Sequence, residues 1–172
     1  MSWKATPFIF SMGREVITDK TESQNSERWA QAAVPLDLAV RFAETDLMGV
    51  VHHSAYVVWF EAGRVAWMAA AGMPYAEIAQ SGHHFAVTVI HAEYRAAARF
   101  GDVVRVITRL TRLRSRQVAF GYEVRHAVTN ELLTSGASEH ICDDLDERMA
   151  KIPQAVINRL TAGAERLADE KM

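Results

Sequence analysis

The residue pattern implies an α+β domain in which five antiparallel strands curl around one central helix, with a second helix at the C-terminus. Three features carry that expectation. Residues 55–71 have only Glu61 and Arg64 as charged side chains and are otherwise filled by Tyr56, Val57, Val58, Trp59, Phe60, Val65, Trp67 and Met68. A helix apolar around most of its circumference is expected to be buried. At about 1.5 Å per residue it is roughly 25 Å long, so something broad must enclose it. Downstream, residues 84–98, 102–114, 117–129 and 131–142 read as four strands, with turns at Gly101-Asp102, Arg114-Ser115 and Asn130. Upstream, one further alternating segment supplies a fifth strand.

Each element has its own signal. Residues 1–35 are mixed and mostly polar, and Thr18 to Arg28 reads as a flexible or loosely docked arm. Leu36, Leu38, Val40 and Phe42 alternate with polar neighbours, the pattern of a half-buried strand. The helix is expected from Ser54 as N-cap to Ala71, with Gly72 as C-cap and Pro74 preventing continuation. A short helical piece covers Tyr75 to Gln80. In the clearest strand Val118, Phe120, Tyr122 and Val124 share one face while Gln117, Glu123 and Arg125 share the other. Four consecutive strands with short turns predict an antiparallel meander. Pro153 opens a helix that carries Val156, Ile157, Leu160, Ala164 and Leu167 at helical spacing. The organisation expected is an arm over 1–35, a domain over 36–143 and a helical extension over 144–172. Strand, buried helix, then four strands is the order of the hot-dog architecture.

Composition narrows the function. The 172 residues suit one domain. Nineteen basic against twenty-one acidic side chains, a net charge of −2, do not suggest a nucleic-acid binder. Cys142 is the only cysteine, so no intrachain disulfide is expected and a reducing compartment fits. No apolar run approaches the ~20 residues of a membrane span. Lys4, Phe8-Ile9-Phe10 and Ala30-Gln31-Ala32 imitate a secretory signal, but the apolar stretch is too short and polar residues separate it from the Ala-x-Ala, so the cytoplasm is expected. Neither the pairs His52-His53 and His83-His84 nor His140 with Cys142 and Asp144 has a zinc-binding spacing, and no metal is expected. Gly-rich phosphate loops, Gly-x-Ser-x-Gly and Cys-x-x-Cys are absent from the sequence.

The loop before the central helix is the specific feature. It reads Asp46-Leu47-Met48-Gly49-Val50-Val51-His52-His53-Ser54-Ala55-Tyr56, with Glu61 and Arg64 beyond it. It closely resembles the 4-hydroxybenzoyl-CoA thioesterase branch of the hot-dog family, including the Tol-Pal-associated acyl-CoA thioesterases. The resemblance spans residues 36–143. It departs from the pattern at Ala55, where many relatives have Asn, and at His52, where an aromatic residue is common. It implies hydrolysis of an acyl-CoA thioester without metal or organic cofactor, in a homodimer or homotetramer with each site at a subunit interface. It puts the catalytic carboxylate on Asp46, as base or nucleophile, and the backbone N–H near His53 on the thioester oxygen.

Physical chemistry supports those roles independently. The first N–H groups of a helix have no internal partner and sit at the positive end of its dipole. A preorganised donor to a developing oxyanion is worth roughly 2.7–4 kcal/mol. Gly49 permits close backbone approach or positive φ, and Val51 belongs to the same substrate-facing loop. Other readings stand beside these. Asp46 also suits a turn cap over 46–49, and the His53 side chain suits a structural role. His52 suits packing or pocket lining. Tyr56 and Trp59 suit the acyl pocket or the core equally. Glu61 and Arg64, three apart, suit an ion pair, and Glu61 is the alternative catalytic carboxylate as well as a site-supporting or interface residue. Eight arginines from 95 to 125 face only Asp102 and Glu123 in that stretch, an excess that suits either CoA phosphates or a solvated outer sheet face. A hot-dog enoyl-CoA hydratase or dehydratase and a non-catalytic acyl-CoA-binding module are the alternative functions.

Overall fold

The computed structural model describes Trp29 and residues 31–170. The reading of residues 1–28 as part of an arm lies outside the described residues. Five strands, β1 (Val34–Ala39), β2 (His84–Tyr94), β3 (Val103–Leu113), β4 (Gln117–His126) and β5 (Leu132–Asp143), form one sheet. The helices are α1 (His53–Ala70), α2 (Tyr75–Gln80) and α3 (Gln154–Asp169), with a 3-10 turn at Phe42–Glu44.

The concave face of the sheet holds α1. Tyr56, Phe60, Trp67 and Met68 on the helix and Val104, Val106, Leu110, Phe120, Tyr122 and Val124 on β3 and β4 are all buried. Phe60 stacks on Tyr122 at 4.4 Å between ring centroids, and Trp67 meets Phe120 edge-on at 5.6 Å. Each such burial stabilises by roughly 1.5–3 kcal/mol. At its far end α1 runs out at Gly72, which has φ +81° and follows the C-cap Ala71. Arg159 and Arg166 of α3 donate to the carbonyls of Gly72 and Ala70, so α3 satisfies the orphan acceptors of α1. Val156, Leu160, Ala164 and Leu167 are the buried stripe of α3.

Four expectations are corrected. The strand order is β1-β3-β4-β5-β2, so only β3, β4 and β5 form a meander. β2 pairs antiparallel with β5, from His84 opposite Asp143 to Tyr94 opposite Thr134. Gly101-Asp102 therefore ends a crossing connection, not a hairpin. Eight residues between β2 and β3 reach about 26 Å when extended, enough to cross three strand spacings of about 4.8 Å. Second, the N-cap of α1 is His52, whose Nδ1 accepts from the Ser54 N–H at 3.3 Å. Third, β1 starts at Val34 and ends at Ala39, and the buried Trp29, Ala32 and Ala33 extend the core into the segment assigned to the arm. The Trp67 indole N–H donates to the Ala32 carbonyl at 2.7 Å. Fourth, α1 is not enclosed on all sides: Val58 is 54% exposed, Val65 is 40% exposed, and Glu61 is exposed between them.

Glu61 and Arg64 do not pair. Arg64 is 5% exposed and lies over the Tyr75 ring at 5.3 Å, with its Nη1 buried and unbonded. The arginine cluster resolves into ion pairs across the outer sheet face. Arg105 grips Asp37 with two bonds of 2.7 Å, Arg109 and Arg125 share Glu123, Arg112 meets Glu139 and Arg95 meets Glu93. Three of these carboxylates, Asp37, Glu93 and Glu139, come from outside the 95–125 stretch, so the fold halves the local charge excess of the sequence.

Candidate active site

The segment between β1 and α1 is a built loop. Arg41 donates its backbone N–H and its guanidinium to the two carboxylate oxygens of Glu44, both at 2.8 Å. Trp59 Nε1 donates to the same carboxylate at 3.0 Å. Burial raises the Glu44 carboxyl, but these bonds outweigh it and hold the group below the ordinary range. The Glu44 carbonyl accepts from His52 N–H at 2.8 Å, and Thr45 bridges Val51. Inside that frame residues 46–50 close a tight turn. Asp46 N–H donates to the Val50 carbonyl at 2.9 Å, Gly49 N–H to the Asp46 carbonyl at 3.0 Å and Met48 N–H to Asp46 Oδ1 at 2.8 Å. Gly49 has φ +71°, a conformation that L side chains rarely adopt. The turn-cap role and the substrate-facing role of Asp46 are thus compatible. Oδ1 caps the turn, while Oδ2 has no partner among the described residues.

The turn sets Asp46 against the start of α1. One open pocket of about 360 Å³ is lined by Asp46, Val50, Val51, His53, Tyr56, Tyr94, Arg95, Ala96 and Ala97. Val51 is fixed there by its N–H, which donates to the Ala98 carbonyl at 2.9 Å. Tyr56 is 2% exposed, and its hydroxyl accepts from the Ala98 N–H at 3.2 Å. Burial, more than any other cause, pushes its hydroxyl pKa up. In the first turn of α1, Ser54 N–H is held by the His52 ring and Ala55 N–H by the His52 carbonyl. His53 N–H has no acceptor among the described residues. It is therefore a free donor at the positive end of a helix, in a residue that lines the same pocket as a carboxylate.

Four of the seven residues singled out from the sequence, Asp46, His53, Val51 and Tyr56, line this pocket, and Gly49 makes the turn that presents Asp46. Trp59 does not: it is 3% exposed, and its indole N–H is bonded to Glu44 in the 3-10 turn. Glu61 does not either. It lies eight residues beyond His53, about 12 Å along the helix axis, on the exposed flank. His52 belongs to a separate depression with Arg41, Glu44 and Ser54. Tyr94, Ala96 and Ala97 also line the pocket without a sequence signal for it, and Arg95, one of the eight clustered arginines, lines it too. The strand signal ran through them to residue 98, whereas the strand stops at Tyr94 and the small side chains of 96–98 cross beside the loop.

Residues 40–160 match the model of the thioesterase-like superfamily. The chain belongs to that family. It is 32% identical over 108 residues to the putative acyl-CoA thioesterase YneP of Bacillus subtilis, an alignment covering 63% of this chain and 78% of that protein. Among solved structures it resembles hypothetical protein TT1821 of Thermus thermophilus, at 43% identity and TM-score 0.70 over 74% of this chain and 96% of that one. It also resembles the DHNA-CoA thioesterase of Staphylococcus aureus, at 26% identity and TM-score 0.71 over 81% of this chain and 95% of that one. The fold of this thioesterase-family chain is accordingly the hot-dog fold, with the matched region running from the end of β1 into α3. Among the described residues no helix is long and apolar enough to cross a membrane.

Proposed function

We propose that this chain hydrolyses an acyl-CoA thioester to the free acid and CoA in the pocket between the Asp46 turn and the start of α1. The observation that carries the proposal is that a residue with an uncommitted carboxylate oxygen and a residue with an unbonded first-turn amide line one pocket, in a chain of a thioesterase family. In this reading the His53 N–H holds the thioester oxygen. Asp46 supplies the carboxylate, either taking a proton from water or attacking the carbonyl carbon itself. Both routes put negative charge on that oxygen, so one donor serves both. On the first route the water oxygen adds to the carbonyl carbon, the C–S bond breaks, and the departing CoA thiolate takes the proton held by Asp46. On the second, loss of the thiolate leaves an acyl-Asp46 anhydride, which a water hydrolyses to the free acid and the restored carboxylate while its proton goes to the thiolate. A backbone dipole does the polarising, so the reading needs neither metal nor organic cofactor. Val50, Val51, Tyr56, Ala96 and Ala97 favour an apolar or aromatic acyl group. The motif from Asp46 to Tyr56 supports placing the chain near the 4-hydroxybenzoyl-CoA and Tol-Pal-associated thioesterases.

The working unit we propose is a homodimer, or a homotetramer built from it. β2 is an eleven-residue edge strand with Val87, Val89, Ile90 and Tyr94 about half exposed. An open apolar edge of that length is a template for another strand. A second copy pairing β2 with β2 about a two-fold axis would cover it, together with Val58 and Val65 of α1. The Asp46 pocket opens at the Tyr94–Arg95 end of the same strand, so the partner would complete it. The single cysteine, Cys142, is buried and free, in keeping with a cytoplasmic protein.

The test is thiol release from a panel of acyl-CoAs, acetyl to palmitoyl with benzoyl and phenylacetyl, alongside light scattering. Turnover of at least one member by a dimer or tetramer is expected. No turnover by any member, with acyl-CoA still bound, would replace the enzyme with a binding module. An active monomer would remove the shared site.

A further inference from the structure

We infer that Tyr94 is a positioning residue for this reaction, its hydroxyl locking the first peptide of α1 so that the His53 amide keeps its place in the pocket. The inference rests on the hydrolytic reading of that pocket. Tyr94 is the last residue of β2, on the wall opposite the helix start. Its hydroxyl donates to the His53 carbonyl at 3.0 Å, a bond between residues 41 apart in sequence. Its ring meets Tyr56 edge-on at 5.3 Å, so the side chain is braced before it reaches the carbonyl.

The geometry explains why a lock is useful there. The peptide carrying the His53 N–H is already fixed on its near side: the His52 carbonyl accepts from Ala55 N–H at 2.9 Å, and the His52 N–H donates to Glu44. Beyond the His53 Cα lies the next peptide, which carries the His53 carbonyl and whose N–H, that of Ser54, reaches the His52 ring at 3.3 Å. Carbonyls in a first helical turn otherwise depend on helix bonds, and helix ends fray. Tyr94 adds a bond from a different element and so ties the helix start to the sheet. With it, the peptide after the His53 Cα is held at its carbonyl by the sheet as well as at its N–H by the His52 ring. Partial burial pushes the Tyr94 hydroxyl pKa up, so at neutral pH it remains a donor. An amide that is already aimed when charge develops on the thioester oxygen costs no reorganisation, and that is the form in which a donor accelerates the reaction most.

The test is Tyr94→Phe, which removes the hydroxyl and keeps the ring against Tyr56. On whichever acyl-CoA the parent turns over, kcat is expected to fall roughly tenfold, the worth of one hydrogen bond, with KM within about twofold. Amide hydrogen exchange at residues 53–57 is expected to be faster, with the thermal midpoint little changed. Unchanged kcat overturns the inference. So does a rise in KM with kcat preserved, which would make Tyr94 a substrate contact. The exchange readout does not depend on activity. If the parent hydrolyses nothing, the hydrolytic reading fails, whereas unchanged exchange at 53–57 removes the Tyr94 lock itself.

Discussion

His140 should make this protein acid-sensitive by an amount that the structure sets. The side chain sits on β5 at 2% exposure. Its Nε2 lies 2.8 Å from Ser138 Oγ, which in turn lies 2.7 Å from the Tyr122 hydroxyl. Burial and, next, the nearby Arg64 charge lower its pKa from 6.5 to about 4. The same burial pushes Tyr122 up to about 12. Between pH 6.5 and about 4 the unfolded chain therefore takes a proton on this residue that the folded chain refuses. Stability is complete above pH 6.5 and falls as pH drops through that window. At 1.36 kcal/mol per pH unit the whole interval is worth about 3 kcal/mol, and about 2 kcal/mol of it is gone by pH 5. The assay is urea unfolding followed by tryptophan fluorescence at pH 7 and pH 5, comparing the parent with His140→Gln. The parent should lose about 2 kcal/mol more than the variant between the two pH values. Equal losses would show that His140 does not titrate in this window, and the reasoning from its burial and from Arg64 would be wrong.

Two further substitutions probe the framework. At Gly163 a Cβ would lie 2.1 Å from the Ala71 carbonyl oxygen, a backbone atom that cannot swing away. Gly163→Ala should therefore push α3 off the end of α1 and cost at least about 1–3 kcal/mol in chemical unfolding; a variant as stable as the parent would contradict the packing. On the outer sheet face, Arg105→Gln breaks an exposed pair with Asp37 and should cost under about 1 kcal/mol. It should also leave KM for the acyl-CoA within about twofold, while a large rise in KM would return this arginine to phosphate binding.

The sequence was most readable where a period or a local motif decides the outcome. Strand ends at 84, 103, 117 and 132, the short helix Tyr75–Gln80 and the buried stripe of α3 fall within a few residues of the pattern. The turn before α1 was readable because its signals are local: Gly49 takes positive φ, Asp46 caps the turn, and the N-cap of α1 falls two residues before the expected Ser54. What escaped is what only three-dimensional neighbours determine. Alternation says which face a residue occupies and not which strand lies beside it, so the pattern puts β2 next to β3 where the fold puts it next to β5. The apolar circumference of α1 implies enclosure, although Val58 and Val65 lie on a flank the single chain leaves open. Trp59 has the same composition signal as a pocket wall, but a buried carboxylate fifteen residues earlier claims its indole N–H. Tyr94 carried no signal at all, because a hydroxyl meeting a backbone carbonyl 41 residues away leaves no spacing to read.

In the proposed reaction Asp46 does the chemistry while the helix start holds the thioester oxygen. Thiol release by Asp46→Asn, measured beside the parent on the best acyl-CoA and paired with calorimetric binding of CoA, tests it most directly. The Asn side chain keeps the size and still caps Met48, so the turn should survive. The variant is expected to lose kcat by about 10²–10⁴-fold with CoA affinity within about twofold. Full turnover in the variant would contradict it and leave Glu61 as the remaining carboxylate to examine.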